Sequence, residues 1–421
     1  MKDSNNFVSS VAMLDINLTR RVILSDEQRT IVEVVVYVFL CGGVSVFGIV
    51  SNIINIIIFF RQGLKTTMNI SFFGLAISDL CSLLNLLCFT IFLNPLVERS
   101  NLPIVSREFQ YLVAGWPYVC FTRITSLITA FMTAERCLCI TCPLKVKNII
   151  TPKRAAVVIC STYVIIFFFL LPEYATSYID WKFYPPRNKT LLRLVFTSNR
   201  KSMEGLVFIL NACLGALSYL LVVVFTAVLI YKLKRNSKWR KENNKDFSDQ
   251  TSSRDNKAVT MVLLIAAFLI VCSAPSIVLS LVSFFIQEFS VLGFHSNIFF
   301  AVWSVAFFFG AINSSVNIFL YYKMSSKFRR SFKALFSKVR RRADSSAQRT
   351  KHRWTFVGPR KNTSKNYGAD ISSDNLSKLI NSYRCDSFVL TDFPTNGNET
   401  SVKDDFQNSV SAEDIRLGLQ F

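Results

Sequence analysis

Apolar residues gather into seven long runs parted by short polar breaks: roughly Ile31–Phe60, Asn69–Leu93, Phe109–Thr141, Arg154–Ala175, Ser202–Lys234, Lys257–Ile286 and Ser296–Tyr322. A hydrocarbon layer about 30 Å thick needs about 20 residues of helix to cross it, so every run is long enough. The pattern predicts an all-α membrane protein, a seven-transmembrane helix bundle over residues 31–336, behind an outer segment at 1–30. A shorter pattern closes the bundle: Phe328, Phe332, Leu335 and Phe336 share one face of Ser325–Phe336, flanked by Lys327, Arg329, Arg330 and Lys333. That is a short amphipathic eighth helix on the inner leaflet, in contact with membrane lipid. From 337 to 421, Ser, Thr, Asn, Lys and Asp dominate, the composition of a disordered cytoplasmic tail.

Charge adds an orientation. The net charge of +21 would suit nucleic acid, but 19 of the 48 Lys and Arg lie from Lys323 onward and 9 between Lys232 and Lys257. Such clustering is the positive-inside bias of a membrane protein, and no nucleic-acid partner is needed to explain it. With the N-terminus outside, inner loops and tail hold 35 basic residues and outer segments 12. The expected location is the plasma membrane, multi-pass, with the C-terminus cytoplasmic. The first 29 residues carry no apolar signal core, so the first span would serve as its own insertion signal. None of the 11 cysteines falls in an outer loop, so no outer disulfide is expected. Sequons at Asn17 and Asn188 face outward and are candidate glycosylation sites.

Polar residues inside lipid are costly and therefore informative. Asp79 stands in span two, Asn52 in span one, Thr125 in span three, and Asn313, Ser314 and Asn317 in span seven. Asp79, Thr125, Asn313, Ser314 and Asn317 have the oxygens and amides that suit a sodium ion, or equally a hydrated polar core without an ion. No other cofactor is called for. Thr125 and Arg136 are eleven residues apart, close to three helical turns, and share a face.

These fragments together resemble the rhodopsin-like (class A) G-protein-coupled receptors over about 31–336. The matching pieces are Gly48-Ile49-Val50-Ser51-Asn52, Leu75–Asp79, Glu135-Arg136-Cys137 with Pro143-Leu144, Pro275, and Asn317 to Tyr321. The resemblance implies that Glu135 and an acid at the foot of span six restrain Arg136 at rest. Asp255, twenty residues before Pro275, is the candidate, with a solvated charge as the alternative. It further implies that span six swings about Pro275, that Tyr321 takes part in the switch, and that Leu144 meets a heterotrimeric G protein. Departures stand beside the matches: Cys137 replaces an aromatic, Ser273 the pivoting Trp, Ile318 a proline, and Tyr111 is nearest to the missing outer cysteine.

In the outer half, Arg123 is the sharpest residue, 13 positions and so about 20 Å above Arg136, with no acid at its depth. It either binds a ligand's anionic group or bonds to carbonyls and Asn211. Basic residues of the loop (Lys182, Arg187, Lys189, Arg193, Arg200, Lys201) could steer an anion inward. On family position, Tyr118, Thr122, Asn211 and Trp303 join Arg123 in lining a pocket.

Segments such as Gly63–Asn69 and Gly115-Trp116-Pro117 resemble orphan invertebrate (molluscan) chemosensory-type receptors. The leading expectation is a chemosensory receptor, not an enzyme, for an extracellular small molecule or peptide. A neuropeptide receptor is the alternative in the same fold, and an ion channel or transporter the alternative of another class. Polar residues concentrated in the inner half beneath an apolar upper zone, and the lack of internal repeats, speak against that last class. Ser372, Ser373, Ser377 and other tail hydroxyls are sites for receptor kinases and arrestin.

Overall fold

The computed structural model describes residues 24–243, 249–286, 288–290 and 293–337, with backbone alone at 143–144, 147, 201–208, 236–243 and 249–256. Asn17, Cys385 and the tail hydroxyls lie outside the described residues. Seven of the described helices are long and apolar enough to cross a membrane: Asp26–Gln62, Thr67–Leu93, Ser106–Thr141, Pro152–Thr176, Ile209–Arg235, Lys257–Phe285 and Ser296–Met324. Apolar side chains left outward, such as Val157, Val164 and Phe168 on span four, form the face that lipid covers. The chain is a multi-pass membrane protein.

Span one begins five residues before the apolar run does, and capping explains it. Ser25 Oγ accepts from the Gln28 N–H while Gln28 Oε1 accepts from the Ser25 N–H, so two otherwise unbonded donors are satisfied reciprocally. Thr66 and Thr151 cap spans two and four in the simpler way, each accepting from the N–H three residues on. After a first α-helical turn, Ser106–Gln110, span three widens into a π-helical stretch, Tyr111–Gly115, just before Pro117. Proline has no N–H to give, and the wider turn absorbs the interruption. It also carries Tyr111 wholly inside.

Span three touches spans two, four, five and six and is the pillar of the bundle. Close approach around it relies on missing side chains. A Cβ at Gly74 would lie 2.8 Å from Ile159 Cγ2, so only glycine lets spans two and four meet there. The largest apolar core runs along span three from Tyr111 and Trp116 to Met132, and at its other end joins Phe59, Phe72, Tyr321 and Phe328.

The helix expected at Ser325–Phe336 is present at 326–337. The Phe328 N–H donates to Ser325 Oγ at its start, and Phe328 is fully buried against Tyr321 and Phe59. Phe332 and Leu335 pack on the same core, while Phe336 stays half exposed.

The connection between spans four and five, on the side expected to face outward, is an antiparallel hairpin, Ser177–Tyr184 paired with Lys189–Phe196, which the apolar pattern did not reveal. Both arms are rich in aromatic and branched residues, and Pro185-Pro186 with Asn188 at φ 48° turns the chain between them. The hairpin also bonds to the neighbouring loop: the Val105 N–H donates to the Leu192 carbonyl, and the Leu192 N–H to the Pro103 carbonyl.

Candidate functional site

A cavity of about 440 Å³ opens among spans three, five, six and seven. All five residues expected to line a pocket, Tyr118, Thr122, Arg123, Asn211 and Trp303, are brought together in its wall. Two glycines shape it. A Cβ at Gly215 would stand 2.7 Å from Arg123 Cζ, so the guanidinium lies flat against the bare backbone of span five. A Cβ at Gly310 would stand 2.6 Å from the Tyr118 hydroxyl, and the Tyr118 ring stacks on Phe307 at 5.1 Å.

Arg123 forms no ion pair and no hydrogen bond to Asn211 or to a carbonyl among the described residues, and its Nε meets no protein acceptor. The alternative in which protein groups satisfy this arginine is thereby corrected: the bare helix at Gly215 turns its backbone carbonyls elsewhere, into the helix's own ladder.

The upper zone is not apolar apart from Arg123. Ser273, Ser276, Ser280 and Ser283 recur every three to four residues on span six and all face the cavity. That spacing was visible in the sequence, hidden only because serine in an apolar run draws little notice. The cavity floor is Thr125, Asn313 and Ser314. A polar wall therefore continues to mid-membrane, correcting one argument against a conduit. The stronger argument lies below, where Met132, Tyr321, Phe59 and Phe72 are packed shut.

At the floor sits fully buried Asp79. Thr125 Oγ1 donates to its Oδ1 at 3.0 Å and Asn317 Nδ2 to its Oδ2 at 2.8 Å. Ser82 and Ser314 share a hydrogen bond beside it, and Asn52 Nδ2 donates to the Ser314 carbonyl at 2.8 Å. Asn313 lines the cavity without a hydrogen bond to Asp79. Ser314 also reaches the carboxylate, and the groups around it are mostly oxygen-bearing, which fits a small hard cation such as sodium.

At the inner end, Arg136 Nη2 pairs with Glu135 Oε1 at 2.7 Å, and Thr67 Oγ1 donates to that same oxygen. Asp255 lies in the helix Asp249–Phe285 and Leu144 in the helix Pro143–Ile149, but both side chains are outside the described ones, and with them the expected lock. Tyr321 packs edge-on against Phe59, both centroids 5.0 Å apart. Cys137 donates its thiol to the Phe225 carbonyl of span five at 3.4 Å. Pro275 stands inside span six, where it removes one backbone hydrogen bond and leaves a ready bending point.

The outer end holds a structure the sequence did not disclose. Arg200 donates through Nη1 to Glu173 Oε1 at 2.7 Å and to Ser177 Oγ at 2.8 Å, and through Nη2 to the Tyr111 hydroxyl at 2.9 Å. All four residues are buried. Burial works to lower the Arg200 pKa, but Tyr111 and Glu173 outweigh it and hold it above the ordinary guanidinium range. Beside this, Arg193 forks onto Glu108 with contacts of 2.6 to 3.2 Å. Two of the six loop cations thus have buried or half-buried carboxylate partners, and Lys182 lies 3.6 Å from Asp180, so the loop steers anions less than its composition suggests. Ten cysteines among the described residues are free thiols. Asn188 is exposed at the hairpin turn, open to solvent.

No curated protein matches this sequence. Residues 39–339, however, match the model of the serpentine type 7TM GPCR chemoreceptor Srw, a stretch that takes in the cavity, the Asp79 cluster and the Glu135–Arg136 pair. The chain therefore belongs to the Srw family of serpentine chemoreceptors, a family of receptors and not of enzymes.

Proposed function

We propose that this chemoreceptor binds a small extracellular ligand in the cavity and passes the signal to a heterotrimeric G protein through Arg136 and Leu144. One observation carries the reading: Thr125 and Ser314 form the cavity floor and also belong to the hydrogen-bonded cluster around Asp79. A ligand pressing on that floor acts on spans two, three and seven at once. Asn317, bonded to Asp79, lies one helical turn above Tyr321, which packs on the inner core. Asp79 with Thr125, Ser314 and Asn317 holds sodium as an allosteric ion, and Asn313 stands at the entrance to that site.

The N-terminus faces outward, with glycans on Asn17 and Asn188, and the basic tail faces the cytosol, where kinases and arrestin meet it. Asp255 restrains Arg136 at rest, and span six moves about Pro275. A cavity of about 440 Å³ suits a small chemical cue better than a peptide, which favours the chemosensory reading over the neuropeptide one. The packed inner core disfavours a channel.

Expression of the full chain with an epitope tag and a second-messenger readout tests this. Arg136→Ala is expected to abolish signalling at unchanged surface level. Persistent signalling in Arg136→Ala, or ligand-evoked current in cells lacking G proteins, would overturn it.

A further inference from the structure

Among the described residues the cavity holds a cation without a protein counter-charge. Arg123 sits midway along span three, and the buried carboxylates described in the outer half are engaged elsewhere: Glu173 with Arg200, Glu108 with Arg193, Glu33 with Arg29 and Arg107. Asp79 is committed to Thr125 and Asn317. The titratable groups that act on Arg123 are a thiol and a phenol, Cys120 and Tyr118. Part of the guanidinium remains open to the cavity. An arginine within the membrane is costly unless something of opposite charge or strong acceptor character faces it. Gly215 makes the placement specific, because any side chain there would push the guanidinium out of position.

The cavity wall offers acceptors, on span six opposite and on span three beside Arg123. Ser280 Oγ donates to the Ser276 carbonyl and Ser283 Oγ to the Leu279 carbonyl, both at 2.8 Å. Thr122 Oγ1 donates to the Val119 carbonyl at 2.7 Å. With their protons turned onto their own helices, these hydroxyls present lone pairs. The chemistry asked of a ligand is an anionic group at one end and hydrogen-bond donors along its body.

We propose that the cavity takes small carboxylates, the Arg123 guanidinium gripping the carboxylate in its fork and the span-six serines accepting from hydroxyl or amino groups on the ligand. This rests on the cavity being the ligand site, and names the chemical class it selects. A planar five-donor fork matches a carboxylate as no lysine would.

The test uses the full chain, purified in lipid nanodiscs at constant chloride. The probes are acetate, benzoate, phenylacetate and mandelate, each set against its neutral amide, with the thermal midpoint as readout. Carboxylates are expected to raise the midpoint where amides do not, and mandelate more than phenylacetate. Arg123→Gln is expected to weaken binding by at least about tenfold, the loss of a charge-assisted hydrogen bond. Gly215→Ala keeps the charge but displaces it, and is expected to weaken carboxylates while leaving the unliganded midpoint within range of the wild type. If no carboxylate outperforms its amide, or if both variants bind carboxylates unchanged, the proposal falls. Second-messenger output separates it from the reading beneath. Carboxylates that bind without a signal sink the G-protein reading alone, whereas ligand-free signalling that persists with indifferent carboxylates sinks this one alone.

Discussion

Glu173→Gln attacks the buried network that ties the outer end of the bundle together. Glu173 is fully enclosed and Arg200 nearly so. Removing one partner of a buried ion pair costs about 3–5 kcal/mol, because the other charge is left without compensation. Glutamine keeps one oxygen that accepts from Arg200, so the lower end, about 3 kcal/mol, is expected. For a bundle of about 300 residues that corresponds to a fall of about 5 °C in the thermal midpoint. Tyr111→Phe removes one acceptor from Arg200 and should cost about 1 kcal/mol. The double variant Glu173→Gln with Arg200→Met leaves no stranded charge and should regain most of the loss. Unfolding of purified receptor, with and without dithiothreitol, measures all four proteins, and the reductant should change none of their midpoints. A drop under about 2 °C in Glu173→Gln, or a double variant no more stable than Glu173→Gln alone, would refute the view that this network fastens spans three, four and five.

Three further outcomes follow from single contacts. Thr67→Val removes the hydroxyl that competes for Glu135 Oε1, concentrating the carboxylate on Arg136; basal second-messenger output should fall about fivefold, the equivalent of about 1 kcal/mol, and a rise would contradict it. Gly48→Ala sets a Cβ 2.6 Å from Leu83 Cδ1 where spans one, two and seven meet, whereas Gly43 has nothing within 4 Å; the first should lose about 1–3 kcal/mol and the second should gain up to about 1, read as thermal midpoints. Replacing choline with sodium should raise the midpoint of the wild type and not of Asp79→Asn, and equal responses would remove sodium from the Asp79 cluster.

Hydropathy alone made the seven spans and the short last helix legible, since crossing lipid demands length and apolarity that few other folds share. Asp79, Thr125 and Asn317 were also readable, because an isolated polar residue in such a run must find partners. Their mutual bonds bear out that the cluster meets, though not what it binds. The hairpin went unread although its arms carry the alternation and its turn carries Pro185, Pro186 and Asn188, since attention to apolar length hides short strands. Arg200 was visible only as a loop charge, and Glu173 only as an acid near the end of span four. Nothing in sequence spacing says that residues 27 apart on two elements close on a tyrosine 62 positions earlier.

That blind spot has a physical logic. A span can be recognised by itself, because each helix settles its backbone bonds internally and lipid fixes its length. A polar junction between spans cannot, because its energy depends on charges meeting across elements whose arrangement only the packed bundle determines. The same reasoning separates the two arginines of the outer half. Arg123 reads as a cation inside span three and Arg200 as one of the loop cations, but nothing local says which of the two folding will pair. Folding surrounds Arg200 with Glu173, Ser177 and Tyr111, and it becomes a fastening. Folding brings Arg123 to a bare glycine and an open cavity, and it becomes a surface on which chemistry from outside can act. The fastening holds spans three, four and five in place around the cavity, so a variant that loosens Glu173 should also blur the cavity's preference between a carboxylate and its amide, without any change at Arg123 itself.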